Sequence, residues 1–177
     1  MSLLGNAALA MWWDIAPEVK GEFEDWHSHE HFPERMSVPG FRRGTRWTSV
    51  DGGPGIFVMY EVDAHETLSS AAYVARLNAP TPWSTKMMPH HRNMVRSQCH
   101  VVASGGAGTA RYALTLRFAA ESMGAVDVPA HLRTIVDGCV TRPGIVGAHL
   151  LRHQPPAIAQ TTEQRIRPAA DQIADWI

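Results

Sequence analysis

Cysteine is scarce in this 177-residue chain: Cys99 and Cys139 are the two present. That is neither a disulfide framework nor a four-ligand zinc site. No sign of charge dominates, since 16 Lys and Arg face 17 Asp and Glu for a formal charge of -1. A dedicated nucleic-acid binder rests on a basic surface, so that class is excluded. No run approaches about eighteen consecutive apolar residues, so no membrane span is expected. The stretch from Met1 to Trp13 is apolar but lacks a basic flank and an A-x-A-like cleavage site. It does not read as a signal peptide, and a cytoplasmic protein is expected. Gly105-Gly106-Ala107-Gly108 does not open a helix in a βαβ unit, so it fits neither the dinucleotide nor the P-loop fingerprint. There is no Ser or Cys nucleophile elbow. No cofactor is expected. Histidine, tryptophan and methionine are plentiful instead, at 10, 6 and 8. Extra His suits acid–base chemistry or metal binding, and Trp with Met suits an apolar pocket.

Two Pro-Gly corners, Val38-Pro39-Gly40-Phe41 and Arg142-Pro143-Gly144-Ile145, stand 104 positions apart. At that offset the patterns match. Ala8 to Trp13 falls on Tyr112 to Arg117, both strand-like. Residues 18–36 fall on 122–140, both helix-like, and Phe41 to Trp47 falls on Ile145 to Leu151, both strand-like. The first unit continues with a strand over Gly55 to Val62, after the turn Asp51-Gly52-Gly53-Pro54. A helix over Leu68 to Leu77 and a strand over Ser97 to Ala103 follow. This order is β-α-β-β-α-β, the ferredoxin-like split unit of an α+β fold. Residues 1–104 form that repeat, and 109–177 a degenerate, incomplete copy joined by the Gly-rich linker. In the copy, Ile166, Ala170, Ile173 and Ile177 sit near helical spacing, interrupted by Pro168. Two such sheets face to face make a dimeric-type α+β barrel with an enclosed cavity. The incomplete second sheet leaves an edge that favours association into a homo-oligomer.

The segment Asp25-Trp26-His27-Ser28-His29-Glu30-His31-Phe32-Pro33-Glu34-Arg35 packs three histidines into a predicted helix. On a helical wheel Phe23, Trp26, His27, Glu30, His31 and Glu34 share a face. The repeat gives a second reading. Leu132, Ile135, Val136, Cys139 and Val140 form the apolar stripe of the copy, and His31 is the counterpart of Ile135. Both readings turn His31 inward, where a polar group needs a partner. Glu30, Glu34 and Arg35 are near enough in sequence to serve. His31 then reads as a core-edge histidine, as a general acid/base, or as a metal ligand with His27 and His90 or His91. The zincin pattern fails, because Pro33 stands where it needs His.

Trp26, His31, Pro39-Gly40-Phe41 and Arg46-Trp47 together resemble the EthD-type branch of the dimeric α+β barrel superfamily, over roughly residues 8–103. The resemblance implies small-molecule sites between helices and sheet or inside the barrel. It also implies cofactor-independent oxygenase, isomerase, cyclase, decarboxylase or dehydratase chemistry on aromatic or polyketide-like compounds, or haem binding in other members.

The expected function is that of a small-molecule enzyme, a lyase, isomerase or oxygenase, using acid/base chemistry on a hydrophobic aromatic or carbonyl ligand. His31 is the expected catalytic group, with His27, Glu30 and Arg35 tuning it. Trp12, Arg46, Trp47, Tyr60 and Trp83 are the expected substrate-binding residues, since aromatics wall a pocket and Arg46 steadies an anion. A non-catalytic protein binding a hydrophobic ligand or haem, and an oligomeric structural module, are the alternatives.

Overall fold

The computed structural model describes residues 3–53, 55–119 and 128–177. Its first strand, β1 (Ala7–Asp14), is apolar on both faces and buried along nearly its whole length. Such a strand belongs in the middle of a sheet covered on both sides. The other strands are β2 (Phe41–Thr48), β3 (Gly55–Val62), β4 (Arg92–Gly106) and β5 (Gly147–His153). They form one five-stranded sheet in the order β2-β3-β1-β4-β5, with every neighbouring pair antiparallel. The first four strands and their crossovers have the order of a ferredoxin-like unit.

The first crossover winds through α1 (Lys20–Trp26), a π turn (His27–His31) and α2 (Phe32–Met36). The second carries α3 (Ala71–Asn78) and α4 (Pro82–Met87), whose N-termini are capped by the Ser70 and Thr81 hydroxyls. Leu9, Met11 and Trp13 of β1 and Val58 and Tyr60 of β3 pack against Phe23, Trp26, Tyr73 and Leu77 of this helix layer. The alternate residues Ala8, Ala10 and Trp12 pack on the other face with Cys99, Phe57, Met59 and Leu151.

The second half of the chain departs from the expected layout. β5 joins the edge of the first sheet: β1 follows β4 only as far as His100, and β5 pairs with β4 from Cys99 to Gly106. Gly105 and Gly106, expected in a linker, end β4. A Cβ on Gly106 (φ +102) would lie 2.2 Å from the Val146 carbonyl oxygen, and one on Gly105 2.9 Å from Val140 Cγ1. Gly106 allows the close approach of two backbones, and Gly105 leaves room for the Val140 side chain. Tyr112 to Arg117 forms no ladder among the described residues. It lies against the second face, where Thr115 Oγ1 accepts from Trp12 Nε1 at 3.1 Å and the Ala110 carbonyl accepts from Trp47 Nε1 at 3.2 Å.

The helix expected over 122–140 is α5 (Val128–Cys139), with 122–127 outside the described residues. The C-terminal helix is only α6 (Thr162–Ile166), begun by a capping box at Thr161. It stops because Arg167 precedes Pro168 and is extended, with ψ 146. From there the chain pairs with strands. Gln172 bonds to the backbone of β4, and Asp175 and Ile177 bond to β5. The chain's own tail therefore lies on the sheet edge that the sequence leaves open. Among the described residues no helix is long and apolar enough to cross a membrane.

Candidate functional site

Pro33 shapes the site. Proline has no N–H, and its ring crowds the carbonyl four residues earlier, here that of His29. A regular α-helical ladder cannot run through this point. The chain inserts a wider turn, in which the Phe32 N–H donates to the His27 carbonyl five residues back. Such π turns recur at functional sites. The wider turn buries both His27 and His31, with ring centroids 5.5 Å apart, and leaves Ser28 and His29 exposed. The ring of Trp26 lies 4.5 Å from that of His31, and its Nε1 donates to Ser84 Oγ at 3.2 Å.

The repeat argument does not explain this geometry. Ile135, the counterpart of His31, is 47% exposed, and Val136 is the buried residue of the α5 stripe. His31 faces inward because of the π turn.

Between helix layer and sheet lies a cavity of about 30 Å³, lined among others by Trp13, His27, His31, Arg35 and Tyr60. Each of the five buries a polar atom that has no hydrogen-bond partner among the described residues. They are Trp13 Nε1, His27 Nδ1, His31 Nδ1, Arg35 Nη1 and Tyr60 OH. An unpaired buried polar atom costs about 1–3 kcal/mol, so five around one hollow require an explanation.

Burial holds the His27 and His31 imidazoles well below the ordinary histidine range, and the charges of Arg46 and Arg35 add to the effect. Burial lowers His91 to about 4 and pushes the Tyr60 phenol up. Both π-turn imidazoles are therefore neutral at pH 7, each with one donor and one acceptor nitrogen. Arg35 stays charged: burial is the largest influence and opposes its charge, but the Glu163 carboxylate that its Nη2 bonds and the Tyr73 and Tyr60 hydroxyls together outweigh it. Such a cavity can accept a proton at an imidazole and offer donors to a developing oxyanion.

Of the residues singled out from the sequence, the fold brings His27, His31, Arg35 and Tyr60 together. Glu30 points elsewhere, accepting from Thr81 Oγ1 at 2.5 Å. Trp12 and Trp47 lie on the opposite face of the sheet, stacked on Phe57 at 4.7 and 5.1 Å. Arg46 donates to Ser28 Oγ at 3.2 Å and borders a shallow depression with Phe32, Pro33 and Met36. Trp83 donates to Glu22 Oε1 at 3.2 Å, outside the cavity. The sequence reading missed Trp13, Tyr73, Arg96, Glu163 and Arg167, all of which line the cavity. Strand alternation marks Trp13 as clearly as Trp12 but does not say which faces the helices. Nothing local marks Glu163 or Arg167. Among the described residues no three His, Cys, Asp or Glu side chains are grouped to hold a metal ion.

No known family profile matches the sequence, and no curated protein matches it. A solved structure that is similar is that of an ethyl tert-butyl ether d (EthD) family protein from Bacillus halodurans C-125. The two share 20% identity over 39% of this chain and 78% of that one, with a TM-score of 0.32.

Proposed function

We propose that the protein is an acid/base enzyme of the α+β barrel type, a lyase, isomerase or cofactor-independent oxygenase, acting on a hydrophobic carbonyl compound. The observation that carries the reading is the set of five buried polar atoms around one cavity that have no hydrogen-bond partner among the described residues. His31 takes the proton at Nδ1. Its depressed basicity keeps it in the base form at neutral pH, and a negative charge developing on the substrate raises that basicity as the proton transfers. Tyr60 OH and Arg35 Nη1 donate to the developing oxyanion, and His27 and Trp13 orient the substrate. In this reading residues 1–104 carry the chemistry. Residues 109–177, a degenerate second unit, close the site with Glu163 and Arg167.

The test follows solvent deuterium entering a panel of aryl ketones and 2-oxo acids by proton NMR. Wild type should exchange at least one compound at its α-carbon, and His31→Gln should lose roughly 10²-fold or more, the usual contribution of a positioned base. Equal rates for the two proteins would discard His31 as the proton carrier.

A further inference from the structure

Three guanidiniums, those of Arg35, Arg96 and Arg167, line the cavity, against one lining carboxylate, that of Glu163. Arg96 is committed to the Tyr73 hydroxyl at 3.1 Å, and Arg167 to Asp171 through two bonds at 2.8 and 2.6 Å. Arg35 is different. Its Nη2 holds Glu163, while its Nη1 has no hydrogen-bond partner among the described residues and faces Glu34 Oε2 in a longer ion pair at 3.5 Å. Arg35 is thus a buried cation with spare donor capacity.

Glu163 reaches Arg35 from α6, 128 positions later in the chain. That helix has five residues and is tied to the body at its start, where Thr162 N donates to Asn78 Oδ1 at 3.0 Å. The flanking Pro155-Pro156 and Pro168 separate it from the strands on either side.

Building on the acid/base reading, we propose that the ligand is an aromatic or similarly apolar carboxylate. It binds at Arg35 by displacing Glu163, so that Glu163 is a built-in stand-in for the ligand's own carboxylate. A hollow of about 30 Å³ admits no such molecule while Glu163 stays; an engineered cavity that takes benzene has about 150 Å³. Exchanging one carboxylate for another keeps Arg35 paired throughout, which avoids the large cost of a lone buried charge. The rings of Trp13 and Trp26 and the neutral imidazoles wall the remaining space, and none of them repels an anion.

The experiment titrates benzoate and its neutral isostere benzamide into the 177-residue chain, read by tryptophan fluorescence and calorimetry. Benzoate should bind wild type at least about tenfold tighter than benzamide, the scale of one charge-assisted pair. Glu163→Gln removes the internal competitor and should tighten benzoate a further tenfold or so. Equal affinities for the two probes, or no gain in Glu163→Gln, overturns the proposal. Should that variant fail to fold, Asn78→Ala loosens α6 without touching the cavity and carries the same prediction and the same refutation. The benzoate preference is read in wild type and Glu163→Gln, and the exchange loss in His31→Gln. Unchanged deuterium exchange in His31→Gln thus removes the acid/base reading alone. A failed benzoate preference removes the carboxylate reading alone.

Discussion

Arg35 donates to Glu163 across 128 positions of chain, and both side chains are almost wholly out of water. The pair ties the π-turn crossover to the C-terminal segment beneath the helix layer. Removing one partner of a buried ion pair strands the other. Arg35→Ala or Glu163→Ala should therefore lower the unfolding free energy by about 3–5 kcal/mol. Replacing both, Arg35→Met with Glu163→Leu, should restore most of it. Urea unfolding measures all three, and single variants within about 1 kcal/mol of wild type would mean the pair is not buried as described.

Acid should destabilise the fold before its carboxylates protonate. Burial holds His27, His31 and His91 below the 6.5 of an unfolded histidine, His91 at about 4. As the pH falls below 6.5 the unfolded chain takes up these protons while the folded chain does not. The stability they contribute is complete above that pH and gone once the pH has passed the folded value. For His91 alone the loss is about 3 kcal/mol. The urea midpoint should fall between pH 6.5 and 4, and His91→Asn, which keeps a donor near the Met88 carbonyl, should flatten part of the slope. A level profile in wild type would contradict the burial of these rings.

Tyr60→Phe deletes a hydroxyl that has no hydrogen-bond partner among the described residues. It should leave stability within about 1 kcal/mol of wild type, because no hydrogen bond is lost. The deuterium exchange rate should fall at least about tenfold, because an oxyanion donor is gone. A large loss of stability with unchanged exchange would make Tyr60 a packing residue.

Gly44 lies directly beneath Phe32, and a Cβ there would come within 2.2 Å of Phe32 Cε1. Phe32 in turn packs on His27, with ring centroids 4.7 Å apart. Gly44→Ala should cost about 1–3 kcal/mol by overpacking and shift the His27 ring signals in NMR spectra. A variant as stable as wild type, with unmoved signals, would show the contact is slack.

The strands of the first unit were the legible part of this chain, whereas Tyr112 to Arg117, read as a strand, forms no ladder among the described residues. Gly55–Val62 and Phe41–Thr48 are apolar or alternating runs bounded by Gly and Pro turns, and pattern alone locates them. The inward turn of His31 was also legible: the helical wheel groups it with Phe23, Trp26 and His27, all buried, whereas the parallel argument from Ile135 fails because Ile135 is exposed. The actual cause, a π turn forced by Pro33, is a backbone adjustment that a regular wheel cannot represent. Trp12 and Trp13 sit on a strand apolar on both faces, so alternation separates them without assigning sides. The Arg35–Glu163 pair was illegible because an ion pair leaves no periodic trace in sequence, and α6 is too short to carry one.

The central claim is that the imidazole of His31 is buried, neutral and without a hydrogen-bond partner at Nδ1 among the described residues. Nitrogen NMR of histidine-labelled protein, titrated from pH 8 to the onset of acid unfolding, tests it most directly. The account predicts that His31 remains a single neutral tautomer well below 6.5, where an ordinary histidine has taken up its proton. A His31 that titrates near 6.5, like a ring in open water, would contradict it.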